Sequence, residues 1–326
     1  MDISILLILQ NFRNGAGSFL TQFFTKMTFF GELNTVMVIM AVVYWSVSKE
    51  FGTYLLMGFS GNRIVNGLLK VTACTYRPWI RDSRIVPDKN AISTATGYSF
   101  PSGHTMNAAT VYGGIVVRKD LSKAFRIVMC LLLIFIAFSR IFLGVHTPQD
   151  ILVGAVVGLL VMWLTQKLMK IIANHPGKDI IVAVIGISLA VGVAVYAGLK
   201  SYPQDFDASG NLLVDGTKMA NDTFKGVGWC SGFLTGWVLE RRFVCFTTEI
   251  SKKQKLMRMA SGLLIYYFIS LVFVPLIKTS ISGTAGTIVS CFLQMIFISF
   301  LFPLGFKYIE QRLNSDKKEK NSLIKQ

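Results

Sequence analysis

Two histidines, three basic residues and one aspartate are spaced in a way that suits transfer of a phosphoryl group. In KVTACTYRP, Lys70 and Arg77 are seven residues apart, so on a helical segment they point the same way, two turns apart. Taken alone, such a pair is better read as snorkelling towards lipid headgroups. Pro101-Ser102-Gly103-His104 reads as a helix start, with Gly103 allowing close backbone approach. The free N–H groups of that start, at the positive end of the helix dipole, suit an oxyanion or phosphate. In SRIFLGVHTPQD, Thr147, Pro148 and Asp150 read as an N-cap, a first-turn proline and an acidic third position. Asp150 also follows His146 by four residues, where it can accept the imidazole N–H and fix the tautomer. Arg140 ends the preceding apolar run on the same side, and a charge there is costly unless paired or used. Each cluster alone is helix punctuation or capping. Together they suit a tetrahedral anion, with one imidazole able to attack phosphorus and another to protonate the leaving oxygen.

The elements that must position these groups are membrane helices. The chain has 326 residues, is 52% hydrophobic and only 15% charged, and has a mean hydropathy of +0.54. A soluble domain of this length needs a more polar surface. Apolar runs fall at about 33–48, 51–70, 104–117, 125–143, 149–172, 179–199, 226–239, 258–277 and 285–306, several of them near the ~20 residues that cross a bilayer. The opening MDISILLILQNF has neither a basic leader nor a small-residue cleavage site and is read as mature protein. With Gln10, Arg13 and Asn14, residues 1–32 predict an interfacial helix or a short, imperfect span.

The net charge of +16 follows topology. Segments 118–126, 167–178, 240–258 and 307–326 carry 19 Lys/Arg, whereas 70–103, 140–147, 200–225 and 278–284 carry 10. The positive-inside rule puts the first set in the cytoplasm and the second, with all the residues above, outside. The basic charge is therefore not a nucleic-acid footprint. The five cysteines form no CxxC pair and no Cys/His cluster, so neither a zinc site nor a disulfide framework is expected.

The three clusters resemble those of the type-2 phosphatidic acid phosphatase superfamily, which includes lipid phosphate and undecaprenyl pyrophosphate phosphatases, glucose-6-phosphatase and the soluble vanadium haloperoxidases. The family pattern is Lys, six residues, Arg-Pro; then Pro-Ser-Gly-His; then Ser-Arg, five residues, His, three residues, Asp. It is met by Lys70–Arg77-Pro78, Pro101–His104 and Ser139-Arg140…His146…Asp150, over roughly residues 33–172. The resemblance implies His146 as nucleophile, Asp150 as its orienting partner and His104 as general acid. It implies Lys70, Arg77, Ser102, Gly103 and Arg140 as phosphate-binding residues, with no metal and no cofactor. His175, beside Pro176, is left as a solvated loop residue.

The expected fold is all-α, a polytopic transmembrane bundle with a six-helix phosphatase core and about three additional C-terminal spans. Its divisions are an N-terminal helix (1–32), the core (33–175), further transmembrane helices (176–306) and a cytoplasmic basic tail (307–326). The expected function is a metal-independent phosphatase of the bacterial plasma membrane, acting on a lipid phosphate or diphosphate at the outer face, with membrane lipids as its surroundings. A phosphatase for a soluble ester, a lipid phosphotransferase and a non-hydrolytic phospholipid or phosphate transporter are the alternatives. No feature sets the oligomeric state. Three details stay open. Trp79, Arg81 and Arg84, in the loop 79–100, either favour a diphosphate or serve docking at the lipid surface. Gly232-xxx-Gly236 points to close helix packing within the chain ahead of a dimer interface. Asn221-Asp222-Thr223 is a glycosylation sequon that matters only in a eukaryotic source.

Overall fold

The computed structural model describes residues 2–175 and 177–323, with side chains to Arg312. The end of the expected basic tail, 324–326, lies outside the described residues. Helices account for nearly all regular structure among those residues; the exception is one isolated antiparallel bridge, Phe206 to Leu212. In chain order they are α1 (Asp2–Gly15), α2 (Ser18–Phe29), α3 (Leu33–Val47), α4 (Lys49–Ala73), the short α5 (Pro78–Arg81) and α6 (Lys89–Ile92), and α7 (103–116). There follow α8 (Lys123–Phe142), α9 (Pro148–Asn174), α10 (Lys178–Leu199), α11 (Gly216–Leu239), α12 (Lys252–Ser280) and α13 (Gly283–Arg312).

Five of these, α8, α9, α10, α12 and α13, are long and apolar enough to cross a membrane. The α2–α3 pair, bent by 50°, passes the same test only when its two parts are taken together. Exposed Leu, Ile, Val and Phe stud α8, α9, α10 and α12, as expected of surfaces that face hydrocarbon. Long α4 and α11 are different. Asn62, Arg63, Asn66 and Lys70 interrupt α4, while Lys218, Asn221, Asp222 and Lys225 interrupt α11. These two helices pack on each other inside the bundle, where a backbone oxygen of Arg63 lies 3.3 Å from where a methyl on Gly226 would stand.

The chain alternates direction, so the loops sort to two ends. Segments 74–102, 143–147 and 200–215 share one end, which holds all three motifs. Helix α1 lies along that end. Arg13 donates to the carbonyls of Phe142 (3.0 Å) and Val86 (2.5 Å), and Gln10 bonds the backbone of Arg84 and Val86. Phe23 and Phe24 of α2 pack edge-on or tilted against Phe135, Phe138 and Phe142 in the last two turns of α8.

The segment after residue 176 is interleaved with what precedes it. Trp45 of α3 is fully buried against Phe297 and Phe302 of α13 and donates its indole N–H to the Ile298 carbonyl at 2.8 Å. Methyls on Gly228, Gly232 or Gly236 would collide with Ile288, Phe292 and Ser299, so the glycine row of α11 serves packing on α13 within the chain. At the end away from the motifs, Asp179 takes bonds from Arg241 and Arg242, and Arg258 pairs with Glu310.

Candidate active site

His146 sits in the tight connection between α8 and α9. Gly144 adopts a φ of +73°, which a side chain would resist, and the amides of Val145 and His146 both return to the Arg140 carbonyl at 3.1 Å. Four residues later Asp150 closes the capping box of α9. The Thr147 side chain accepts from the Asp150 amide, while the Asp150 carboxylate accepts from the Thr147 amide at 2.8 Å. The same Oδ2 stands 3.2 Å from His146 Nδ1 and accepts a short bond from the Ser99 hydroxyl. Capping and imidazole orientation, alternatives at the level of sequence, are thus done by one carboxylate oxygen. With Nδ1–H directed at Asp150, the lone pair of the imidazole is on Nε2.

Arg77 meets that lone pair. Its Nη1 is 2.8 Å from His146 Nε2 and donates to the Val145 carbonyl at 2.9 Å, while Nε and Nη2 reach the carbonyls of Gly97 and Thr96. Both side chains are almost wholly buried, 3% and 2% exposed. Burial, with Arg77 next in weight, holds the His146 imidazolium well below the usual histidine range, although Asp150 pulls the other way.

The Lys70 ammonium spends its three donors on the carbonyls of Tyr98, Ser99 and Pro101, at 3.0, 3.3 and 3.1 Å. It pins the turn that carries the second motif and places its charge beside it. The Ser102 amide donates to the Asp150 carbonyl at 3.0 Å, and Gly154 of α9 presses on the Ser102 backbone, where a methyl would stand 3.1 Å from the carbonyl oxygen. The second and third motifs are therefore locked backbone to backbone.

A cavity of about 220 Å³ opens among these residues, and Lys70, Arg77, Gly103, His104 and His146 all line it. His104 packs on Gly31, and its Nε2 is buried without a hydrogen-bond partner among the described residues. Two expected phosphate ligands stand off the lining. The Ser102 hydroxyl is the N-cap of α7, accepting from the Thr105 amide at 3.4 Å and the Thr105 hydroxyl at 3.0 Å. Arg140, fully buried, donates to the hydroxyls of Thr28 (2.5 Å) and Thr94 (3.4 Å). In the loop 79–100, Arg81 pairs with Asp2 and Arg84 with Asp82, while Thr94 and Thr96 reach the cavity. Sequence reasoning missed Ser99, although it lies three residues before Ser102. It also missed Arg63, Asp222, Lys225 and Trp229, which line the same cavity.

A family model described as the PAP2 superfamily matches residues 51–174, and one described as the PAP2 superfamily phosphatase transmembrane extension matches 224–314. The chain belongs to the PAP2 superfamily. Phosphatidylglycerophosphatase B of Bacillus subtilis is 32% identical over 142 residues, covering 41% of this chain and 66% of the relative. Lipid phosphate phosphatase delta of Arabidopsis thaliana is 25% identical over 50% of this chain and 41% of its own length. The undecaprenyl-diphosphatase of Sulfolobus acidocaldarius is 24% identical over 41% and 61%. The chain thus spans less than two thirds of the curated relatives it matches. No solved structure matches it. With its apolar helices and the transmembrane extension, this PAP2 protein is an integral, multi-pass membrane protein.

Proposed function

We propose that this PAP2 protein is a phosphatase that removes phosphate from a lipid phosphate or diphosphate at the extracytoplasmic face of a bacterial plasma membrane. The observation that carries the reading is the Asp150–His146 pair, whose imidazole lines a cavity with cationic walls and has its Nε2 held by Arg77. Two sets of residues would hold the phosphoryl oxygens: Arg77 and the Gly103 backbone at the wall, and Ser102 and Arg140 after a rotamer change. The Lys70 charge adds to the field. The incoming phosphate takes over the Arg77 N–H now spent on Nε2, which frees the lone pair.

The Nε2 lone pair then attacks phosphorus, the bond to the leaving oxygen breaks, and His104 gives that oxygen its proton. Water next attacks the phosphohistidine and passes its proton to His104, inorganic phosphate departs and the imidazole is restored. The core 33–175 supplies every group in these steps, while residues 176–306 close the cavity from the side and the basic tail from 307 is cytoplasmic. The distribution of Lys and Arg supports that orientation, because the motif end carries the smaller share. The names of the three relatives support a lipid substrate.

The test is phosphate release from lipid monophosphates, lipid diphosphates and a soluble ester, by purified protein in detergent with EDTA present. Release from the lipids, lost in His146→Ala, is expected. Binding without release by the wild-type protein would favour a transporter, and release only from the soluble ester would overturn the lipid assignment.

A further inference from the structure

Two cations in the cavity wall have no part in the histidine chemistry: Arg63 of α4 and Lys225 of α11. Arg63 precedes Lys70 by seven residues on one helix, so the two share a face about 10 Å apart along the axis at a rise of ~1.5 Å per residue. Trp229, four residues beyond Lys225, holds the Arg63 guanidinium over its ring at 5.4 Å. Arg63 Nε is buried and has no acceptor among the described residues, which is costly unless something entering the cavity supplies one. Lys225 pairs with Asp222 at 2.6 Å, and that carboxylate also lines the cavity, offsetting one of the two positive charges.

We infer that Arg63 and Lys225 form a second anion subsite that binds a further phosphate group of the substrate while the first is held at His146. The inference rests on the phosphatase reading above and narrows its substrate to a lipid carrying two phosphates. These are joined either as a diphosphate ester or as a terminal monoester linked through a spacer to a phosphodiester. Lys225 and Trp229 fall within the stretch that the transmembrane-extension model matches, so the extension contributes to substrate choice as well as to packing. Asp222 acts as a gatekeeper: Lys225 must turn from it to the incoming phosphate, and an anion too short to reach Lys225 gains nothing there.

The experiment measures phosphate release by the full chain in detergent from phosphatidic acid, phosphatidylglycerophosphate and a long-chain prenyl diphosphate. Lys225→Met and Arg63→Met are expected to raise KM about tenfold or more for a two-phosphate lipid, one charge-assisted contact having been lost, but less than about threefold for phosphatidic acid. The two-phosphate lipid that responds identifies how its second phosphate is joined. Lys225→Arg is expected to keep the selectivity, and Asp222→Asn to lower KM for the same lipid. Equal effects on all three lipids, or none on any, overturn the subsite. A wild-type protein that releases phosphate from none of the three overturns the phosphatase reading itself.

Discussion

Arg77 Nη1 lies 2.8 Å from His146 Nε2, so the group expected to bind phosphate sits on the atom expected to attack it. The arrangement keeps a buried lone pair satisfied until an anion arrives, and it fixes the guanidinium beside the reacting position. Arg77 also joins the Val145, Gly97 and Thr96 carbonyls, tying together the segments on both sides of the cavity.

Arg77→Lys keeps the charge but supplies one compact ammonium where a planar fork bridged four acceptors. The expected result is a fall in kcat/KM of about 10- to 100-fold, the worth of one or two charge-assisted bonds, with the fold retained. Steady-state phosphate release and gel filtration check it. Activity close to wild type would show that Arg77 binds the loops and not the substrate.

Asp150→Asn removes the negative charge from a position that accepts from Ser99, from the Thr147 amide and from His146 Nδ1. An amide nitrogen turned towards His146 would favour the wrong tautomer and move the lone pair off Nε2. A loss in kcat of about 100- to 10,000-fold is expected, in line with a disrupted imidazole–carboxylate pair. Ser99→Ala leaves the carboxylate in place and loses one neutral donor, so about tenfold is expected. If Asp150→Asn cost no more than Ser99→Ala, Asp150 would be a helix cap alone.

The three motifs were legible in the sequence because each is a local pattern. Lys70 and Arg77 flank a helix end, Ser102 caps α7, and Thr147 with Asp150 caps α9. What brings them together was not. Ser99 meets Asp150 across 51 residues and Arg77 meets His146 across 69, and no periodicity encodes such a pairing. Arg63 was hidden inside a run that reads as an ordinary apolar helix, and Lys225 stands beside the glycine row that packs α11 on α13. Conversely, Arg81 and Arg84 looked available for a diphosphate, but Asp2 and Asp82 pair with them. Which partner a charge finds is decided by tertiary packing.

The pH profile follows from His146. Burial and the Arg77 guanidinium disfavour its imidazolium, so its pKa is held well below 6.5 and the ring is neutral at pH 7. The nucleophile is therefore lost only on acidification, and the acid limb of kcat/KM is expected below pH 6.5. The linkage runs the same way. An unfolded chain binds this proton near pH 6.5 and the folded one does not, so the contribution to stability falls as pH drops through that value. Phosphate release across pH 4–8, alongside thermal midpoints in detergent, measures both. An acid limb at or above 6.5 that does not move in Arg77→Lys, which keeps measurable activity, would mean that the ring is charged in the resting protein.

Gly103 separates the anion seat from the fold. It lines the cavity, and a methyl built on it would meet only Asn66 Oδ1, at an ordinary 3.8 Å. Alanine is also the better helix former by roughly 1 kcal/mol at an interior position and is tolerated in a first turn. Gly103→Ala is thus expected to fold with unchanged or slightly raised stability. The added methyl nonetheless occupies space beside the free N–H groups of α7, where a phosphoryl oxygen must come within ~3 Å of nitrogen. KM is expected to rise about tenfold or more, with vanadate, a mimic of the five-coordinate transition state, losing inhibitory strength in parallel. If Gly103→Ala kept both wild-type KM and wild-type vanadate inhibition, the phosphate would have to sit away from the α7 start, towards Arg63 and Lys225.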